Sequence, residues 1–180
     1  MRVERHFAFV DLSGFTSFGD ARGDDAAVDV LIGFRDATRR VATEFGIRIA
    51  KWLGDGCMLV SVDPAAIVAA VLELDHEYEE LALPLAIHAG LAGGSVILLE
   101  GDDYTGRPVN LAARLADAAQ PHEILATPEL AAHAPPGATC VPVGEMNVAG
   151  FSQPVEVVAV RRAGAPLAPH DHPPVAQPSG

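Results

Sequence analysis

Positive charge is scarce in this chain. Its 12 Lys and Arg face 24 Asp and Glu, a formal net charge of -12 at pH 7. Such a surface repels the phosphates of nucleic acid and of anionic lipid, so neither a nucleic acid nor a membrane is expected as a partner. Cysteine is nearly absent. Cys57 and Cys140 are too few for a disulfide framework, and Cys57, inside an apolar run, reads as a small buried hydrophobe. No apolar run reaches membrane-spanning length free of charge, and none follows the opening Met1-Arg2-Val3-Glu4-Arg5-His6. A soluble, reducing compartment, most simply the cytoplasm, is therefore expected. The Gly-rich motif ending in Gly-Lys-Ser or Gly-Lys-Thr is missing, which excludes a P-loop nucleotidase. His6, His76, His88, His122 and His133 lack zinc-ligand spacing, and no internal repeat is visible. What is there is 180 residues, 49% hydrophobic and 20% charged, enough for one globular domain with a real core.

Residues 6–11 read as a short buried strand, followed by a turn at Gly14. From about Asp24, the positions Val28, Leu31, Phe34, Thr38, Val41 and Phe45 recur every three or four residues. That spacing predicts a helix capped by Asp24 or Asp25 and ended at Gly46. Residues 47–53 and 57–62 predict two strands joined by the hairpin signal Gly54-Asp55-Gly56. Pro64 opens a second helix, to about Leu81. Residues 85–91 and 95–100 read as another strand pair around Gly93-Gly94. A third helix runs from Pro108 to about Ala119, then a short strand over 123–126, a small helix over 128–133 and a closing strand over 155–160. Beyond Arg162 the Ala, Pro and His-rich composition lacks periodicity and predicts a flexible tail over 163–180, leaving 1–162 as the domain. The order β-α-β-β-α-β predicts an α+β fold with a ferredoxin-like core and extra C-terminal strands.

Two acids stand where apolar runs meet glycine turns. One is Asp11 in Phe9-Val10-Asp11-Leu12-Ser13-Gly14-Phe15-Thr16, the other Asp55 in Lys51-Trp52-Leu53-Gly54-Asp55-Gly56. A carboxylate beside buried apolar residues is costly unless a cation or hydrogen bonds compensate. In the split-βαβ topology the first strand lies beside the first hairpin. Asp11 and Asp55 then face each other across a gap suited to a pair of divalent ions roughly 4 Å apart. The plainer alternative is a turn residue and a cap. A third segment, Asp103-Tyr104-Thr105-Gly106-Arg107-Pro108-Val109-Asn110-Leu111-Ala112-Ala113-Arg114, weighs against coincidence. Its Asn110 and Arg114 are four apart and share one helical face.

The three segments, in order and spacing, resemble the class III nucleotidyl cyclases over approximately residues 6–162. The resemblance implies that Asp11, Asp55 and the backbone carbonyl of Leu12 hold two divalent metals, Mg²⁺ or Mn²⁺. One metal bridges the triphosphate, and the other activates the ribose 3′-hydroxyl for attack on the α-phosphorus. It further implies that Lys51, four residues before Asp55, and Asp103, three before Gly106, read the base. An ammonium and a carboxylate match the N1 acceptor and N6 donor of adenine. Guanylate cyclases of the family carry Glu and a small residue there, so the implied substrate is ATP and the product cyclic AMP. Asn110 is implied to orient the ribose, and Arg114 to stabilise charge on the phosphates, a task for a planar cation that never deprotonates.

In the family the metal aspartates come from one protomer and the Lys, Asp, Asn and Arg from the other. A head-to-tail homodimer with two sites follows. One departure stands out. The family carries a lysine, which contacts the terminal phosphates, before the Gly-Phe of the segment that here reads Glu145-Met146-Asn147-Val148-Ala149-Gly150-Phe151, and its place is taken by Ala149. Arg5, Arg48 and Arg107 are candidate replacements. Ala149 favours an alternative reading, a catalytically weak or inactive cyclase-homology module that binds nucleotide or a partner. The intact set of site residues favours an enzyme more strongly. Lys51 and Asp103 disfavour a guanylate cyclase, and a diguanylate cyclase of the GGDEF type lacks its signature here.

Overall fold

The computed structural model describes residues 1–100 and 103–164. In chain order the elements are β1 (Arg2–Leu12), α1 (Phe15–Arg22), α2 (Asp24–Glu44), β2 (Arg48–Leu53), β3 (Gly56–Ser61), α3 (Pro64–Glu80), β4 (Ile87–Leu98), β5 (Tyr104–Thr105), α4 (Arg107–Ala118), β6 (Ile124–Ala126), α5 (Pro128–Ala131), β7 (Thr139–Met146) and β8 (Val155–Arg161). One sheet runs β2-β3-β1-β4-β6-β8-β7, with β5 pairing β4. The ferredoxin-like core is the unit β2-β3-β1-β4, in which β1 is antiparallel to both neighbours. Strands β6, β8 and β7 are the C-terminal extension.

Side-chain alternation along the strands splits the core into two layers. Ala8, Val10 and Leu12 of β1 join Phe34 and Val41 of α2 and Ile67, Leu74 and Tyr78 of α3 on one face. Phe7 points the other way, to Met58, Val60, Ala92, Leu111 and Leu115 beneath α4. Asp11 shares the parity of Phe7 and therefore lies on the α4 face. That helix sits close to the sheet because Gly90 has no side chain: a Cβ there would stand 2.2 Å from the Ala112 carbonyl oxygen and the Ala116 nitrogen. The cap of α3 is as expected, with Asp63 accepting from the Ala65 N–H at 2.9 Å and Pro64 in the first turn.

Several expectations are corrected. Gly93-Gly94 is not a turn; β4 runs unbroken through it, paired with β1 along its length. Gly93 is there for space, since a Cβ would meet the His6 ring nitrogen at 2.2 Å. The segment after Gly14 is the helix α1, and β5 and β7 are additional strands. In α2 the buried stripe is Ala27, Val30, Phe34, Ala37, Thr38, Val41 and Ala42, while Val28 is exposed. Small residues set that phase: α1 approaches through Gly19, whose Cβ would lie 3.6 Å from Ala27. Of the tail expected over 163–180, residues 165–180 lie outside the described residues. Among the described residues no helix is long and apolar enough to cross a membrane.

Candidate active site

The β1–β3 register sets Asp11 opposite Gly56, and the β1–β4 register sets it opposite His88. Gly56 makes room for the carboxylate, because a Cβ would stand 2.5 Å from Asp11 Oδ1. Asp55 immediately precedes Gly56, on a two-residue turn closed by the Leu53–Gly56 pair. Gly54 takes φ 66 at the first turn position, which a short hairpin requires. Both acids thus reach one end of the sheet. Burial first, and the charge of Asp55 second, push the Asp11 carboxyl above the usual carboxylate range. His88 and the Leu12 N–H, which donates to Asp11 Oδ1 at 3.2 Å, act against that rise.

A hard divalent cation relieves such a pair. Other features nearby fit it. Ser13 Oγ is buried without a partner. The helix α1 starts from Gly14 at φ 74 with no side-chain cap, so unpaired amides follow the acids closely, an environment suited to phosphate. Among the described residues a second cluster of ligand type lies elsewhere. His122 Nδ1 is 3.1 Å from Asp75 and 3.5 Å from Glu79 of α3, the helix on the opposite face. It reads as a hydrogen-bonded clamp on a half-buried acid rather than as part of this site.

Lys51 stands opposite Met58 on β3, on the α4 face. Its Nζ is 2.8 Å from Asp103 Oδ1. The Tyr104 N–H donates to the same oxygen at 2.8 Å, and Lys51 and that N–H together hold the Asp103 carboxyl below its usual range. Side-chain exposures of 45% and 41% leave both groups open to a ligand. Tyr104 brings the loop over the sheet: its ring meets Phe7 edge-on at 5.3 Å, and the Arg48 guanidinium lies 5.7 Å from it.

Asn110 and Arg114 occupy the exposed side of α4. Arg114 pairs with Asp117 at 2.9 Å, three residues on. Among the described residues no bond links Asn110 or Arg114 to Asp11 or Asp55. The fold therefore gathers Asp11 with Asp55 and Lys51 with Asp103, and leaves Asn110 and Arg114 turned to solvent.

Sequence reasoning missed the supporting roles of four residues. His88 faces Asp11 only through the β1–β4 register, which no local pattern announces, and its Nδ1 donates to the Ala116 carbonyl at 2.8 Å. Gly56 was legible as a turn glycine but not as the space for Asp11. Arg35 reaches from α2 to the Gly54 carbonyl at 3.5 Å, and with Arg39 it covers the Trp52 ring at 5.1 and 5.4 Å, bracing the hairpin. Of the candidate replacement cations, Arg5 donates to the Glu4 carbonyl at 2.7 Å and Arg48 covers Tyr104, whereas Arg107 lies over Phe151 at 4.5 Å.

No protein-family model matches the chain. An uncharacterized protein of Mycobacterium tuberculosis is 40% identical over 147 residues, 82% of this chain and 38% of that one. The pH-sensitive adenylate cyclase of Mycobacterium tuberculosis is 33% identical over 118 residues, 66% of this chain and 29% of that one. The chain thus spans less than two fifths of the length of these curated relatives. The crystal structure of the adenylyl cyclase CyaB from P. aeruginosa matches with a TM-score of 0.81 at 27% identity, over 93% of this chain and 98% of that one. Guanylyl cyclase structures at 23% and 17% identity share the fold too, so the fold alone leaves the base open.

Proposed function

The chain belongs to the class III nucleotidyl cyclases as a cyclase homology domain, and we propose that it is an adenylate cyclase. It converts ATP to 3′,5′-cyclic AMP and pyrophosphate at sites shared across a homodimer. The observation that carries this reading is the contact of Lys51 with Asp103 at 2.8 Å, which offers one ammonium and one carboxylate side by side. Adenine N1 accepts from Lys51 and its N6 amine donates to Asp103. Guanine presents N1–H toward the ammonium and O6 toward the carboxylate, and leaves both unmatched. Divalent ions at Asp11, Asp55 and the Leu12 carbonyl, Mg²⁺ or Mn²⁺, supply charge neutralisation of the triphosphate and ease ionisation of the ribose 3′-hydroxyl. The open amides of α1 orient phosphate oxygens. Asn110 holds the ribose, and Arg114 meets the charge that develops as pyrophosphate leaves. Because Asn110 and Arg114 make no bond to the acids of their own chain, they serve the acids of a second copy, related head to tail. The adenylate cyclase among the sequence relatives supports the same chemistry.

The test is incubation of the purified protein with ATP or GTP and Mg²⁺ or Mn²⁺, with chromatographic measurement of products and Asp55→Ala as control. Cyclic AMP is expected from the wild type and not from the variant. Cyclic GMP instead would overturn the base assignment. No cyclic nucleotide from a folded dimer would favour the second reading, a non-catalytic cyclase-homology module, for which Ala149 is the supporting observation.

A further inference from the structure

We infer that Asp75, Glu79 and His122 form a binding site for one zinc-class divalent cation, separate from the catalytic acids and independent of the nucleotide the chain takes. His122 Nδ1 lies 3.1 Å from Asp75 Oδ1 and 3.5 Å from Glu79 Oε1, and one ligand atom from each of the three residues lies within 4.8 Å of the other two. Ligands about 2.0 Å from a tetrahedral zinc stand roughly 3.3 Å apart, so both short separations match an edge of that tetrahedron. Hydrogen bonding accounts for only one of them. A single Nδ1–H donates to Asp75, and the Glu79 oxygen at 3.5 Å lies beyond ordinary hydrogen-bond length. An imidazole with two carboxylates is a donor set for Zn²⁺, Co²⁺ or Ni²⁺ rather than for Mg²⁺ or Ca²⁺.

Helix α3 and the loop after α4 deliver these groups. Asp75 and Glu79 are four apart on α3 and share a face of that helix. His122, in the loop between α4 and β6, takes φ 59, and its N–H donates to the Ile87 carbonyl at 2.7 Å, which anchors the loop on β4. Within the trio, negative charge outweighs positive. Glu73 and Glu77 of the same helix are matched to Arg162 and Arg40, whereas Asp75 and Glu79 share one histidine. Burial pushes the Asp75 carboxyl up; the His122 hydrogen bond and charge oppose the rise, and Glu79 adds to it. A divalent cation neutralises both carboxylates at once. Side-chain exposures of 42% for His122 and Glu79 and 18% for Asp75 leave an open side, where water completes the coordination. Asp11 lies on the α4 face of the sheet, and Asp75 and Glu79 belong to the helix that covers the other, so this site shares no ligand with the catalytic acids.

The experiment titrates the full chain with Zn²⁺ by calorimetry and with Co²⁺ by visible absorption, whose bands report direct coordination. It compares wild type with Glu79→Gln, His122→Ala, Asp55→Ala and the tail variant His170→Gln/His172→Gln. Wild type is expected to take up one zinc ion that Asp55→Ala and the tail variant retain. Glu79→Gln and His122→Ala are expected to lose at least about 10- to 100-fold in affinity for it, the cost of losing even a supporting partner of a metal ligand. Glu79 is exposed and Gln keeps its shape, so that variant reads the ligand and not the fold. Failure of the wild type to bind zinc, or unchanged affinity in Glu79→Gln, would overturn the assignment. Uptake lost in Asp55→Ala or in the tail variant would overturn it too, by placing the ion at the catalytic acids or on the tail histidines.

Discussion

Asp11 carries a cost in the metal-free protein. Its folded-state proton affinity is raised above the ordinary value of 3.8 by burial and by Asp55. Its contribution is therefore favourable below the unfolded-state pKa and is lost as pH rises through the folded value. Asp11→Asn is expected to raise the melting temperature of the metal-free protein at neutral pH while abolishing both the Mn²⁺-induced rise and activity. Thermal denaturation with chelator or with Mn²⁺ checks this, and a variant less stable than wild type without metal would contradict it. Arg114 differs. Its pair with Asp117 is exposed, at 53% and 64%, and is worth under about 1 kcal/mol. Arg114→Ala should lower kcat on the order of 10²-fold and barely move stability. A parallel loss of both would make it a structural residue. For the base, Lys51→Glu with Asp103→Ser should move preference toward GTP, read as the ratio of kcat/KM for the two nucleotides. Retained ATP preference would remove the argument from donor and acceptor matching.

At the scale of elements, α4 is the piece that links packing to the site. Gly90→Ala places a Cβ 2.2 Å from helix backbone, which cannot yield as a flexible side chain does. A loss of about 1–3 kcal/mol in stability is expected, with activity falling as Asn110 and Arg114 shift. Chemical denaturation alongside the cyclase assay reads both, and an unperturbed variant would mean that α4 is not held through this contact. Legibility followed the strength of local signals. The hairpin at Gly54 and the Pro64 and Pro108 helix starts were plain because glycine and proline act on their own backbone. The phase of α2 misled at Val28, since the true stripe begins with Ala27 and Val30, where a small residue carries little periodic signal. Gly93-Gly94 mimicked a turn because close approach to His6 and a chain reversal call for the same residue. In the site, the meeting of Asp11 and Asp55 was readable from the element order. The meeting of Lys51 and Asp103 depends on Tyr104 docking on Phe7, a contact that sequence alone does not locate.

For the whole molecule, a net charge of -12 repels a triphosphate, so the proposed ATP site requires positive charge concentrated locally. In the proposed reading Lys51 and Arg114 would supply it, together with divalent ions held by Asp11 and Asp55. On the proposed head-to-tail arrangement, in which the acids of one copy work with the Asn110–Arg114 pair of another, activity per chain should rise with protein concentration and level off once dimers dominate. The most direct test mixes Asp55→Ala with Arg114→Ala and measures cyclic AMP. Each variant alone should be nearly inactive. After free subunit exchange the mixture should recover up to about a quarter of wild-type activity, since half the dimers are mixed and each mixed dimer carries one intact site of two. A mixture as inactive as its components, under conditions where the wild type is active and subunits exchange, would contradict the shared site.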